Sequence, residues 1–375
     1  MRRTFKIIKK TLMILLVLIA VFIAAVAIFM QQEQFGKYPE GERLERIKKS
    51  PNFRDGQFQN QSHTPDLAEG ENYFSVMKKF IFNKDPRNKP ADTIPTKKID
   101  LKAIDPLKDM MVWFGHSSYF MQVDGKRILV DPVLSGSASP VSFTTKSFVG
   151  SDAYTVDDIS EIDYLFISHD HWDHLDYKTV TALKSRVKKV ICGLGVGAHF
   201  ERWGFDVANV IEQDWYDEVV LDSGFKVTFT PARHFSGRGF KRNRSLWVSF
   251  VYQTPTKKIY LGGDSGHDKH FAEIGTKYGP FDLAILECGQ YDKGWKYIHM
   301  MPEEAVQAAK ELKAYKLLPV HWAKFSLGNH AWDDPILRVT TAAKTNNQPI
   351  ITPVIGEEVS LQDSATYVEW WQGLK

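Results

Sequence analysis

Residues 168–176 read Ser-His-Asp-His-Trp-Asp-His-Leu-Asp. The pattern His169-x-His171-x-Asp173-His174 follows an apolar run that ends at Ile167 and precedes a helix-like segment. Four nitrogen and oxygen donors on one loop, fixed at both ends, suit a borderline cation such as Zn²⁺. Packing three imidazoles beside a carboxylate is costly without a cation, because these groups titrate near neutrality. One local cluster cannot complete two metal shells. Partners must return later, at other strand ends, and that requirement restricts the folds open to the chain. Three are found: His234 after Thr230-Pro-Ala-Arg, Asp264 after Leu261-Gly-Gly, and His321 after Leu318-Pro-Val. The glycines before Asp264 allow close backbone approach. Singly each residue reads as an ordinary polar side chain; in this order they read as a set.

The texture around them is α/β. Met111–Phe114, Tyr119–Val123 and Arg127–Val130 read as strands, with Asp124-Gly125 at a tight hairpin turn. Tyr164–Ile167, Val190–Cys192, Lys226–Thr230, Leu246–Tyr252, Lys258–Leu261, Leu283–Leu286 and Leu317–Val320 are further strands, and Tyr177–Val187 reads as a helix. Pro302 followed by Glu303 and Glu304 reads as a helix start: proline sets the first-turn φ, and the acids suit the positive end of the dipole. Periodicity alone does not say which α/β fold this is.

The N-terminus is different. Thr11 to Met30 is an uncharged apolar run, and as a helix at about 1.5 Å per residue it spans roughly the 30 Å hydrocarbon core of a bilayer. Arg2, Arg3, Lys6, Lys9 and Lys10 precede it. The positive-inside rule then leaves the tip in the cytoplasm and the body on the periplasmic or extracellular side. The rival reading is a cleaved signal peptide and a secreted protein. Ala25-Val26-Ala27 has the small-x-small pattern, but the run exceeds the usual roughly 7–15 residues. Residues 1–30 are thus read as a signal anchor, 31–108 as a proline-punctuated spacer along the domain edge with a short helix at Tyr73–Phe82, and 109–375 as the catalytic domain.

Removing the five tip charges from a formal net charge of +3 leaves about −2 for the rest. A slightly negative body is poor material for a polyanion channel, so no nucleic-acid partner is expected. With 43% hydrophobic and 13% aromatic residues, disorder is excluded. Cys192 and Cys288 read as buried core thiols, with a single bridge left open.

The motifs resemble the metallo-β-lactamase superfamily, and within it the N-acylphosphatidylethanolamine-hydrolysing phospholipases D. The similar segments are Trp113-Phe-Gly-His-Ser-Ser118, Val130-Asp-Pro132 with Ala138-Ser-Pro140, Ile167 to Tyr177, and Lys226 to Pro231 with His234. They continue with Gly263-Asp-Ser-Gly266, Tyr278 to Ala284, His299 before Pro302 to Val306, and His321-Trp322. The resemblance implies an αββα sandwich with two Zn²⁺ at the strand ends. It implies His169, His171 and His234 on one ion, Asp173, His174 and His321 on the other, and Asp264 between them. It also implies a hydrolase that cleaves a phospholipid phosphodiester, with a hydroxide held by two zincs about 3.5–4 Å apart as nucleophile. Asp173 would orient that hydroxide, Asp264 would fix the metal spacing, and His299 would protonate the leaving group or stabilise the oxyanion. The alternative for His299 is a surface histidine at the start of the following helix.

Residues 235–244 and Gly289-Gln290-Tyr291 depart from the animal enzymes, which leaves the acyl-ethanolamine preference less determined than the chemistry. His116 is read as a residue behind the ligands, and Asp131 and Asp176 as carboxylates that orient ligand histidines. Trp172, Trp295, Trp322 and Trp332 are read as core or as lipid-groove residues. Arg238, Lys241, Arg242 and Arg244 are read as a solvated loop or as lipid-phosphate contacts. Expected partners are a phospholipid substrate and the membrane, with a homodimer left open. Two other classes stay open: a metal-dependent lactonase or other small-ester or amide hydrolase, and a non-enzymatic anchored zinc-binding interaction domain. Seven intact donor positions weigh against the second, since a structural zinc needs four.

Overall fold

A computed structural model describes residues 2–362 and 367–375. The chain opens with α1 (Arg2–Phe29), which has no buried residue. Then come α2 (Gly41–Lys48), the two-residue strands β1 (Phe53–Arg54) and β2 (Gln57–Phe58), and α3 (Tyr73–Phe82). The spacer is therefore partly structured, and Asn72 caps α3 reciprocally with Ser75.

The first sheet holds β3 (Met110–Trp113), β4 (Tyr119–Val123), β5 (Lys126–Val130), β6 (Ile162–Ile167), β7 (Val187–Gly193) and β8 (Val210–Gln213). Its order is β15-β3-β4-β5-β6-β7-β8, where β15 (Glu358–Ser360) returns from the far end of the chain. Pairs from β5 to β8 are parallel and the others antiparallel. Asp124 and Gly125 join β4 to β5 with φ of 47° and 76°, the doubly left-handed turn that matches strand twist.

The second sheet runs β14-β13-β12-β11-β10-β9. Its strands are β9 (Glu218–Asp222), β10 (Phe225–Thr230), β11 (Ser249–Gln253), β12 (Lys258–Leu261), β13 (Leu283–Glu287) and β14 (Leu317–Val320). Here β12, β13 and β14 are parallel.

Strand alternation produces the layers. Tyr164 and Phe166 of β6 face the second sheet, where the Phe166 ring lies 5.1 Å from Phe250 and 5.5 Å from Tyr252. Leu165 and Ile167, one residue out of phase, pack outward with Val180 and Leu183 of α4 (Tyr177–Leu183) and Phe200 of α5 (Gly197–Arg202). On the second sheet, Tyr260 turns outward to Phe271 of α6 (His270–Lys277). α7 (Pro302–Glu311) and α8 (Asp334–Thr345) complete that outer layer. Strands buried on both faces require this four-layer arrangement, and the αββα expectation holds.

Two strand boundaries differ from expectation. The Tyr177–Val187 helix stops at Leu183, and β-branched Val187 starts β7 after one 3₁₀ turn. Leu246–Val248 is not a strand: its amides donate to Leu194 and Ser168 carbonyls instead. Cys192 and Cys288 are buried free thiols.

Candidate metal centre

All seven predicted donors follow carboxyl ends of strands, where open α/β sheets place their ligands. The loop after β6 is fixed from several sides. Ser168 donates from N and Oγ to Asp131, at 2.8 and 2.6 Å. Leu175 N donates to His171 O at 2.8 Å, closing a turn. Asp170 turns away from the donors into the body. It accepts from Gly237 N at 2.7 Å and Ser245 Oγ at 2.8 Å, and lies 3.1 Å from His199 Nε2. Burial opposes its charge, yet His199 and Ser245 hold its carboxyl well below the ordinary range. The Arg238 guanidinium is buried and donates to Asp170 O at 2.9 Å and Leu175 O at 2.6 Å, bracketing the loop. It also donates twice to Gln34 O and lies 3.9 Å from the Trp172 ring. Arg238 is thus neither part of a solvated loop nor a lipid contact.

The donors fall into two sets. His169 Nε2 lies 2.8 Å from His171 Nδ1, which lies 3.2 Å from His234 Nε2. His234 donates from Nδ1 to Ile298 O at 2.8 Å, which leaves Nε2 with a lone pair aimed inward. The second set gathers Asp173, His174, His321 and His116. His174 Nδ1 sits 2.8 Å from Asp131 Oδ2, His321 Nδ1 2.8 Å from Ser117 Oγ, and His116 Nε2 2.9 Å from Asp173 Oδ2. Asp264 stands between the sets, 3.1 Å from His174 Nε2, 3.3 Å from His321 Nδ1, 3.7 Å from His234 and 3.9 Å from His169. Gly263 makes this approach feasible. Its φ is +62°, and a Cβ there would lie 2.7 Å from that of Ser168. His116 and His321 also take left-handed φ, at 52° and 70°, strain of about 1–3 kcal/mol each that collects at functional sites.

The donor chemistry fits cations. His174 Nε2 and Asp264 Oδ1 are buried without a hydrogen-bond partner, although such groups are almost always satisfied. Burial pushes His169, His234 and His321 well below the ordinary imidazole range, and like-charged neighbours add to it. Burial raises Asp264 to about 7 against the pull of His174. Burial also disfavours charge on His174, but Asp264, Asp173 and Asp131 override it and raise its pKa. Imidazoles and carboxylates packed together out of water are the set that a pair of divalent ions completes.

A cleft of about 360 Å³ opens on the donors, with Leu67, Tyr73, Phe235, Trp295, Ile298 and Leu327 in its walls. His299 lines it, its Nδ1 2.6 Å from Glu287 Oε2. The ring centroid of His299 lies 5.0 Å from that of His234 and 5.3 Å from that of His321. Glu287 is fully buried and also accepts from Ser265 N at 2.6 Å. Sequence reading passed over Glu287; its signal is a carboxylate closing the apolar run Leu-Ala-Ile-Leu. Asp131 holds a donor histidine, but Asp176 does not. Asp176 caps α4 through Lys178 N at 3.2 Å and accepts from Ser135 N at 3.1 Å. Trp322 and Trp332 are core, while Trp172 and Trp295 are half-buried near the cleft and the Arg238 strap.

Sandwich and donor set together define a metal-dependent hydrolase of the metallo-β-lactamase fold. The chain belongs to the β-lactamase superfamily: the Beta-lactamase superfamily domain matches residues 126–322. An uncharacterized protein of Mycobacterium tuberculosis is 35% identical over 329 residues, 87% of this chain and 88% of its own length. N-acyl-phosphatidylethanolamine-hydrolyzing phospholipase D 1 of Caenorhabditis elegans is 31% identical over 228 residues, 58% of this chain and 64% of its own. Among solved structures, the metallo hydrolase Igni18 of Ignicoccus hospitalis shares the fold. Its TM-score is 0.53 at 21% identity, over 67% of this chain and 97% of its own.

Proposed function

We propose that this chain is a membrane-anchored, two-zinc hydrolase that cleaves the phosphodiester of N-acylphosphatidylethanolamine-type phospholipids, releasing the N-acylethanolamine and leaving phosphatidate. The observation that carries the reading is the cluster of seven donors, of which His171, Asp173, His234, Asp264 and His321 line a cleft with largely apolar walls. The named nematode relative supports the substrate class. In this reading His169, His171 and His234 would hold one ion and Asp173, His174 and His321 the other, with Asp264 available to both. A zinc pair held there would supply Lewis acidity toward a phosphoryl oxygen and a nucleophile at neutral pH.

The chain's residues do the rest. Asp173, steadied by His116, orients the attacking water from the cleft floor. Glu287 fixes the His299 ring, and His299 passes a proton to the departing alkoxide. In this reading the headgroup and phosphate enter the cleft of about 360 Å³, and the glycerol acyl chains stay in the bilayer. α1 supplies the tether. It is long and apolar enough to cross a membrane, and by the positive-inside rule its basic tip supports a body on the non-cytoplasmic side. Tethering raises the effective concentration of a lipid substrate.

The test is zinc-loaded full chain on vesicles containing N-acylphosphatidylethanolamine. Phosphatidate and free N-acylethanolamine are expected, with their formation abolished in Asp264→Asn. Absence of phosphatidate with zinc bound overturns the lipid assignment. The cleft volume favours one other reading, hydrolysis of a small lactone or amide. Turnover of soluble lactones without lipid cleavage selects it.

A further inference from the structure

We propose that the rim running from the exit of α1 to α3 lies against an anionic bilayer, with the outer side of α3 embedded in it. This rests on the anchor reading and adds which face of the domain meets lipid. α3 is apolar on both sides. Phe80 stacks inward on Trp295 with centroids 5.6 Å apart. Outward it presents Phe74, Met77, Ile81 and Phe82, exposed by 78, 58, 62 and 76%. Soluble surfaces rarely present so many contiguous large apolar side chains without a partner.

The flanking charge identifies that partner. From Tyr73 to Pro90 the chain carries Lys78, Lys79, Lys84, Arg87 and Lys89 against Asp85 alone. Lys79 and Arg87 pair with Glu71 and Asp333, while Lys78, Lys84 and Lys89 are exposed. A short apolar helix face flanked by lysines has the composition of an interfacial helix on anionic lipid.

The rim is continuous with the anchor. Phe29, at the end of α1, packs on Phe35 at 5.1 Å, and Phe35 packs on Trp172 at 5.2 Å. A Cβ on Gly239 would lie 3.0 Å from Met30 Cε, and the next residue, Phe240, is 81% exposed. Arg242 then pairs with Asp66 at 2.9 Å, and Asp66 accepts from the Tyr73 hydroxyl at 2.7 Å at the start of α3. Asp66, Tyr73, Phe235 and Arg242 also line the catalytic cleft. The cleft mouth therefore opens on the lipid-facing rim, and a headgroup reaches the donors while its acyl chains remain in the bilayer.

The experiment places single bimane-labelled cysteines in the full chain, in nanodiscs of phosphatidylcholine and phosphatidylglycerol carrying acyl-chain doxyl quencher. The positions are Leu16→Cys, Met77→Cys, Phe240→Cys and, as a control, Tyr315→Cys. Tyr315 is exposed just before the amino end of β14, away from the cleft, and native Cys192 and Cys288 are buried. Quenching at Leu16, Met77 and Phe240 several-fold above that at Tyr315 is the expected result. Quenching at Leu16 with Met77 no more quenched than Tyr315 overturns the docking face while leaving the anchor standing. No quenching at Leu16 overturns the anchor reading and this proposal with it.

Discussion

Arg238→Met tests how the metal loop is held. The substitution removes the donors that reach Asp170 O and Leu175 O, both buried. A buried carbonyl left without a partner costs about 1–3 kcal/mol, so the pair loses about 2–6 kcal/mol. Part is recovered, because burial disfavours the guanidinium and brings its pKa down to about 10. The third acceptor, Gln34 O, lies nearer the surface and turns to water. A net loss near 3 kcal/mol remains. The carbonyls flank the 169–174 donors, so this loss falls on the loop conformation that presents them. At about 1.4 kcal/mol per tenfold, full coupling weakens zinc about 100-fold and partial coupling about 10-fold, the range seen for residues that orient metal ligands. The assay is equilibrium competition for zinc against a chromophoric chelator. Arg238→Lys keeps the charge but cannot fork to separate carbonyls or stack as a plane on Trp172, so it falls between. Zinc affinity within about twofold of the parent in Arg238→Met refutes the reasoning, and the guanidinium then serves only to fasten residues 31–37.

Three other outcomes follow from the geometry. Gly263→Ala meets Ser168 Cβ at 2.7 Å in a left-handed backbone; soluble yield and zinc content should both fall, and normal zinc content sinks the close-approach argument. Asp131→Asn removes the carboxylate at His174 Nδ1 and the acceptor for Ser168, and zinc affinity should drop about 10–100-fold as read by the same competition. Asp222 is held down to about 2, first by the Tyr164 hydroxyl and then by Lys126. Its depressed folded-state pKa means its contribution is fully present above the ordinary carboxylate range and is lost as pH falls toward 2. Asp222→Asn should therefore be less stable than the parent at neutral pH, with the gap closing between about pH 4 and pH 2 in urea melts; a gap constant with pH contradicts the assignment.

The donors were legible because each sits beside a strand signal. Four fall within six residues, and His234, Asp264 and His321 each follow an apolar run by a few residues. The holders were less so. Glu287 and His299 are twelve positions apart on different segments, and Asp170 meets His199 from another strand end. Only the packing of the sheets creates those pairs. Arg238 sits in a basic run that reads as solvent-facing, whereas its burial follows from three carbonyls converging on it. Edge strands β8 and β9 are short and only partly buried, so the alternation that marked the central strands is too weak there. Asp176 looked like a histidine partner because it lies beside the motif, but a carboxylate just before a helix is drawn to the free amides of its first turn.

The donor inventory is split between the two halves of the sandwich. His169, His171, Asp173 and His174 come from the first sheet, and His234, Asp264 and His321 from the second. Each proposed ion would take donors from both halves, so a bound pair would act as a rivet driven through both plates. A nascent chain gains its last donor only when β14 is laid down, and β15 then crosses back to close the edge of the first sheet at β3. The complete donor set thus exists only once both sheets are in place, and a loaded cation pair would report that the two halves have joined.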